Sequence, residues 1–253
     1  MPNSDSATDD RAFSLRAGTA DSVIYDQVVR QNEYQLPERF APGALVVDIG
    51  THVGAFSYLS LTRGAAEVIG YEPERANHRC AVKNLSPFGS RARVHCAAVW
   101  RSDAPTEQLP FFPSSDASNT GGGTVIWDTD EHLVDGIPFD GVLEAASDGG
   151  RRRVDLVKMD CEGAEFPILL TSKRLHLIDH MVGEYHELRA PLPRHTAVPG
   201  YTEFAVPDLM HVLQTSGFDV TVEPRASGSY GELGLFFAHR MGGAVDRPPA
   251  TAG

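Results

Sequence analysis

The stretch Leu45-Val46-Val47-Asp48-Ile49-Gly50-Thr51-His52-Val53-Gly54 decides the fold of this chain. An apolar run takes in one acidic residue and passes directly into two glycines spaced four apart. The segment that follows, about 55–63, is helical in character. This order reads as a buried parallel strand, a tight turn, and a helix whose free N-terminal N–H groups face the turn. Gly50 and Gly54 permit backbone dihedrals that other residues resist and let a ligand approach closely. One strand later, Val68-Ile69-Gly70-Tyr71-Glu72-Pro73 is a second buried run. It ends in an acid about twenty residues beyond the glycine turn, where nucleotide-binding α/β sheets hydrogen-bond ribose hydroxyls. The two segments together predict a site for an adenosine-containing cofactor.

Their spacing selects among such cofactors. A dinucleotide fold calls for G-x-G-x-x-G, with a helix dipole aimed at a pyrophosphate. Here the pattern is Gly-x-x-x-Gly preceded by Asp48, and the third glycine is absent. A carboxylate at the mouth of the turn repels a pyrophosphate but suits a cofactor bearing an ammonium and a sulfonium. S-adenosylmethionine (SAM) has both, and an NAD-dependent oxidoreductase is disfavoured by the missing glycine.

A third segment, Val154-Asp155-Leu156-Val157-Lys158-Met159-Asp160-Cys161-Glu162-Gly163-Ala164-Glu165, is a strand followed by an acidic, glycine-containing turn into a helix. With it the chain resembles the FkbM family of SAM-dependent methyltransferases. The likeness rests on Val-Asp-Ile-Gly-x-x-x-Gly at 47–54, Tyr-Glu-Pro at 71–73 and Lys-x-Asp-x-Glu-Gly-Ala-Glu at 158–165, the last being the most specific. Order and spacing fit from about residue 40 to 240. Where the family usually has Ala-Asn this chain has Thr51-His52, a departure that bears on contacts to the methionine end of the cofactor. The resemblance implies a class I fold, doubly wound α/β, with a mostly parallel seven-stranded Rossmann-like sheet and a C-terminal antiparallel hairpin. It also implies O-methylation of a small-molecule hydroxyl, on a secondary metabolite or a sugar. N-methylation of a small molecule is the nearest alternative, and a non-catalytic SAM-binding scaffold in a biosynthetic assembly is another.

Composition limits other classes. A chain of 253 residues, 42% hydrophobic, is ample for one α/β domain. A formal charge of −12 argues against nucleic acid or an anionic membrane as the main partner. No run of eighteen apolar residues occurs, and the polar, acidic first ten residues lack the features of a signal peptide. Cys80, Cys96 and Cys161 form no CxxC pair and read as reduced thiols of a cytoplasmic protein.

Along the chain, residues 1–20 and 241–253 read as disordered tails around a domain at 21–240. A helix is expected over 21–32, strands at 44–49, 67–71, 94–99, 154–160, 180–186, 218–223 and 233–239, and helices at 75–85 and 206–216. A short helix is expected at 142–146. The insertion 100–153, with Phe111-Phe112 and Gly121-Gly122-Gly123, reads either as a lid contacting the substrate or as an exposed loop.

Ligands of open α/β sheets lie beyond the carboxyl ends of the strands. The expected cofactor residues are therefore Asp48, Gly50, Thr51, His52, Gly54, Glu72, Pro73, Ala98 and Asp160. Glu72 is expected to take the ribose hydroxyls, and Asp48 the amino group, directly or through water. Asp160 is a candidate for catalysis or for structure. Glu184 and His186, two apart on one strand, share a face and read as a general base with its orienter, as metal ligands, or as solvated rim residues. Asp160, Glu162, Glu184 and Glu187 form an oxygen-rich cluster of the kind that holds Mg²⁺, but nothing in their spacing demands a metal. No feature of the sequence specifies an oligomeric state.

Overall fold

The computed structural model describes residues 13–104, 107–127, 132–227 and 231–242. In chain order they form α1 (Asp21–Tyr25), β1 (Leu45–Ile49), α2 (Ala55–Thr62), β2 (Glu67–Tyr71), α3 (Arg75–Leu85), β3 (Ala92–His95), β4 (Ala98–Trp100), β5 (Gln108–Pro110) and β6 (Leu133–Pro138). Then come α4 (Phe139–Ala146), β7 (Val154–Met159), α5 (Glu165–Thr171), β8 (Ile178–His186), α6 (Val206–Thr215), β9 (Phe218–Ser227) and β10 (Glu232–Arg240).

β1 is buried along its whole length, and a strand with no exposed side chain requires cover on both faces. It pairs in parallel with β2 on one side and β7 on the other, at the centre of a seven-stranded sheet ordered β3-β2-β1-β7-β8-β10-β9. β10 alone runs against the direction of the other six strands, inserted between β8 and β9. This is the doubly wound sheet with a final antiparallel hairpin that the motifs imply; residues 228–230 of the hairpin turn lie outside the described residues.

Alternation along the strands divides the core in two. Val46, Val68, Leu156, Val182 and Phe237 pack against α2, α3 and the segment from Phe13 to Phe40. Leu45, Val47, Ile49, Val157 and Met181 pack against α4, α5 and α6. Each such Leu, Ile, Val or Phe contributes roughly 1.5–3 kcal/mol by leaving water.

Three differences from the sequence reading have physical reasons. The strand expected at 94–99 is two strands. β3 ends at His95, and Ala97 to Trp100, all buried, leave the sheet so that β4 pairs with β6, which also pairs with β5. The insertion is thus partly a small three-stranded sheet. The helix expected at 21–32 becomes a single α turn and then a π-helical turn at Asp26–Arg30, closed by the Gln31 N–H donating to the Asp26 carbonyl at 2.9 Å. Finally, Phe13 is buried and Arg16 is ion-paired with Asp21, so ordered structure begins before residue 21. The tails at 1–12 and 243–253 lie outside the described residues.

Candidate active site

The turn after β1 is held by backbone. The N–H groups of Gly50 and Thr51 both donate to the Tyr71 carbonyl, at 3.0 and 3.1 Å. Gly50 has φ 76°, and a Cβ there would lie 1.8 Å from the Asp160 carbonyl oxygen. Only glycine fits both the dihedral and the space. His52 is also left-handed, at φ 52°, which aims its N–H at Glu72. The Glu72 carboxylate accepts that N–H at 2.8 Å and the Glu74 N–H at 2.9 Å. Burial outweighs these two bonds and pushes Glu72 up to about 7.

Glu72 lines a cleft of about 260 Å³ at the carboxyl ends of β1, β2 and β7, together with Gly50, Thr51, His52, Pro73, Ala98, Asp160 and Glu184. Asp48 and Gly54 are not in its wall. Asp48 is completely buried, because strand alternation points it beneath α2, where the Ser57 hydroxyl donates to it at 2.6 Å. The amino-group contact expected of Asp48 has no direct route. Gly54 has φ 92° and caps α2, where a Cβ would lie 3.3 Å from Leu85 on α3, so its glycine serves backbone and packing.

Lys158 explains Asp48. The two residues are register partners on β1 and β7, with Lys158 Nζ 3.5 Å from Asp48 Oδ1 and 3.8 Å from Asp160 Oδ2. The ammonium also donates to the Gly50 carbonyl at 2.6 Å, tying the glycine turn to the neighbouring strand. Burial alone would lower its pKa, but Asp48 and Asp160 outweigh it and keep it charged. Tyr34, from the loop before β1, donates its hydroxyl to Asp160 at 3.0 Å and also lines the cleft. Neither contact was visible from sequence. The one available signal was a lysine set among the apolar residues Leu156, Val157 and Met159 of a buried strand.

The end of the cleft formed by β7 and β8 is acidic. Asp160, Glu162 and Glu184 all line the cleft, and burial pushes Glu162 up to about 7 and Glu184 to about 8. His186 does not line it. With Glu162, Trp127 and Leu188 it lines an adjoining pocket of about 220 Å³, so Glu162 belongs to both cavities. The His186 ring sits between Glu162 and Glu165, with each nitrogen 3.5 Å from a carboxylate oxygen. Burial alone would lower it, but Glu165 and Glu162 hold it protonated up to about 10. A protonated imidazole has no lone pair for a proton, so the base role expected of His186 does not fit its surroundings. Glu165 is completely buried and fixed by the N–H groups of Cys161 and Gly163, at 2.7 and 2.9 Å. Its part is to shape the turn and hold His186.

The remaining wall comes from the insertion and the N-terminal segment. Phe111, Asn119, Gly121, Gly123 and Val125 line the cleft. Buried Asp21 accepts from Arg16 at 2.8 Å and from the Thr120 hydroxyl at 2.9 Å, while Asn77 donates to the Thr120 carbonyl at 2.8 Å. The His52 ring points to this seam, 2.9 Å from Thr120 Oγ1, and burial pushes its pKa down to about 4. Thr51 and His52 thus play different parts, since Thr51 packs in the turn and the His52 ring braces the cover. All three cysteines are free thiols, and among the described residues no helix is long and apolar enough to cross a membrane.

This glycine turn, the buried strand-end glutamate and the β7 motif lie within residues 48–214, which match the methyltransferase FkbM domain. The chain belongs to that family. It is similar to the methyltransferase sdnD of Sordaria araneosa, 22% identical over 247 residues that cover 86% of this chain and 89% of that protein. It is also similar to the AMB antimetabolite synthetase AmbE of Pseudomonas aeruginosa, 25% identical over 240 residues. That match covers 81% of this chain but spans only 11% of AmbE. Among solved structures, the N-terminal domain of EvdMO1 with SAH bound matches with a TM-score of 0.45 at 12% identity, covering 85% of this chain and 80% of that one. The protein is a SAM-dependent methyltransferase, and its own residues fit that cofactor. Gly50 and Thr51 line the cleft at the end of β1, a buried carboxylate stands at the end of β2, and the acidic mouth suits a cation.

The same charges set a pH dependence. Glu72 and Glu184 have raised pKa values in the fold, so they destabilise it as pH climbs from the ordinary glutamate value of 4.5 to about 7 and 8. His186 contributes stability that is complete below 6.5 and lost on rising to about 10. His52 acts oppositely, adding stability between pH 4 and 6.5. Between pH 4.5 and 6.5 the loss from Glu72 and Glu184 exceeds the gain from His52, so the free protein should melt highest near pH 4.5, with Tm lower at pH 9 than at pH 6.5 by roughly 5 °C. His186→Gln should remove much of that difference in calorimetric scans. Equal Tm values at the two pH values would refute the placement of His186 between paired carboxylates.

Proposed function

We propose that the protein O-methylates a hydroxyl of a small molecule, such as a secondary metabolite or a sugar. The observation that carries this reading is the set of cleft carboxylates, Asp160, Glu162 and Glu184, two of them lifted by burial toward neutral pH. A hydroxyl must lose its proton as its oxygen attacks, and a carboxylate with a raised pKa is suited to receive it. An amine acceptor would instead arrive as an ammonium, which these carboxylates would keep protonated and unreactive. That favours O- over N-methylation.

When bound, SAM supplies a methyl carbon on a sulfonium, and the group that leaves is neutral. The chain contributes the rest. Glu72 holds the ribose hydroxyls, the Gly50 turn accommodates the methionine portion, and Asp160, steadied by Tyr34, faces the positive charge. Glu184 takes the acceptor's proton, and Phe111 with the glycines at 121 and 123 limits water. Holding donor and acceptor in line supplies much of the rate acceleration.

The test is a mass-spectrometric screen of hydroxylated metabolites and amines with isotopically labelled SAM. The expected product carries the label on oxygen, and Glu184→Gln should lower kcat by roughly 10²–10⁴-fold while SAH affinity by calorimetry is unchanged. Label found only on nitrogen would replace this reading with N-methylation. SAH binding with no acceptor in either class would favour a scaffold, and a fully active Glu184→Gln would remove Glu184 as the base.

A further inference from the structure

We propose that the pocket beside the cofactor cleft receives the methyl acceptor, and that it selects an uncharged molecule with an apolar ring body whose hydroxyl points to Glu162 and Glu184. This rests on the O-methyltransferase reading and narrows it away from sugars.

Segment 121–126 of the insertion is the partition between the two cavities. Gly121, Gly123 and Val125 line the cofactor cleft, whereas Gly122, Thr124 and Ile126 line the pocket. Successive residues of an extended chain face opposite ways, so one segment gives a wall to each cavity. Pairing with Phe112 holds it extended, the Phe112 and Thr124 N–H groups each donating to the other's carbonyl at 2.8 and 2.9 Å. The end of β8 is shared in a similar way, since Glu184 lines the cleft and His186 the pocket. Two residues along a strand are about 7 Å apart, within the reach of one hydroxylated ring. Glu162 borders both cavities. A ring seated in the pocket can therefore present a hydroxyl to the carboxylates of the cleft.

The pocket's polar groups are largely spent within the protein. The Glu187 oxygens accept the Val206 N–H at 2.9 Å and the Glu232 N–H at 3.0 Å, and Glu232 Oε1 accepts the Tyr185 hydroxyl at 2.7 Å. The Thr124 hydroxyl donates to the Glu162 carbonyl at 2.7 Å and accepts the Ile126 N–H at 3.1 Å. The Ile126 carbonyl accepts the Thr196 hydroxyl at 2.9 Å, and the Leu188 N–H and carbonyl pair with Phe204. What the wall offers a ligand is mainly the apolar surface of Ile126, Trp127, Leu188 and Leu233. A sugar would bury several hydroxyls here without partners, and each would cost affinity. Three lining carboxylates, Glu162, Glu187 and Glu232, oppose an acidic acceptor. The volume of about 220 Å³ exceeds the roughly 150 Å³ of a cavity that holds benzene, so it suits a body of about two fused rings. Trp127 adds aromatic surface for such a body.

The experiment is calorimetric titration of the SAH-loaded full-length protein with 2-naphthol and with 1-adamantanol, one flat and aromatic, the other compact and aliphatic. Methyl α-glucoside serves as the sugar. At least one ring alcohol should bind, roughly 10-fold more weakly in both Trp127→Ala and Leu233→Gln, with SAH affinity unchanged in each. The glucoside should not bind. Wild-type protein that takes SAH but neither ring alcohol would overturn the pocket assignment, and so would ring-alcohol binding that both variants retain in full. Glucoside binding as tight as that of the ring alcohols, and equally sensitive to both substitutions, would overturn the apolar selectivity. Variant-sensitive binding of a ring alcohol, with no O-methyl product in the labelled-SAM screen, would support the pocket and count against O-methylation. An O-methylated sugar without ring-alcohol binding would do the reverse.

Discussion

Lys158→Met should destabilise the protein by about 3–5 kcal/mol at pH 7.5, the cost of leaving a buried charge without its partner. Asp48 has no exposed surface, and besides Lys158 its carboxylate is met by the Ser57 hydroxyl. Its Oδ1 has no hydrogen bond even with Lys158 3.5 Å away. Burial already raises the Asp48 pKa against the pull of Lys158, so removing the ammonium drives it further up. The loss should accordingly shrink at pH 5, where Asp48 can take a proton and become neutral. Asp48→Asn combined with Lys158→Met should recover part of the stability at pH 7.5. Urea unfolding at the two pH values measures all three effects. A loss equal at both would mean that the missing bonds to the Ile49 and Gly50 carbonyls, rather than the charge on Asp48, dominate.

Glu72→Ala should weaken SAH binding by about 1–3 kcal/mol, roughly 10–100-fold in Kd. Calorimetric titration reads it directly. The carboxylate is 5% exposed and uses one hydrogen bond per oxygen on the backbone of the turn, leaving further lone pairs toward the cleft. Its raised pKa shows that the fold bears a cost to keep this carboxylate buried where a ligand can reach it. Stability should therefore fall less than affinity does, since the mutation also removes the burial penalty. Unchanged affinity would take Glu72 out of the cofactor site.

The strand–turn–helix at 45–62, the strand ending at Glu72 and the last hairpin were readable because their signals are local. Continuous apolar runs mark strands covered on both faces, and Gly50 marks a backbone that side chains cannot follow. The same locality limited the reading elsewhere. In Ala97 to Trp100 the apolar character showed that the segment is buried, but not against which sheet.

Sequence by itself determined the order of elements, the class of sheet and the position of Glu72, because periodicity and turn stereochemistry act between residues close along the chain. Tertiary structure alone decided which groups face one another. Asp48 turns under α2 toward Ser57 and Lys158, Tyr34 reaches Asp160, and His186 lies between Glu162 and Glu165. His52 braces a seam between the N-terminal segment and the insertion. The charge state of a histidine or glutamate follows from the groups packed around it, and those groups come from strands and loops far apart in the chain.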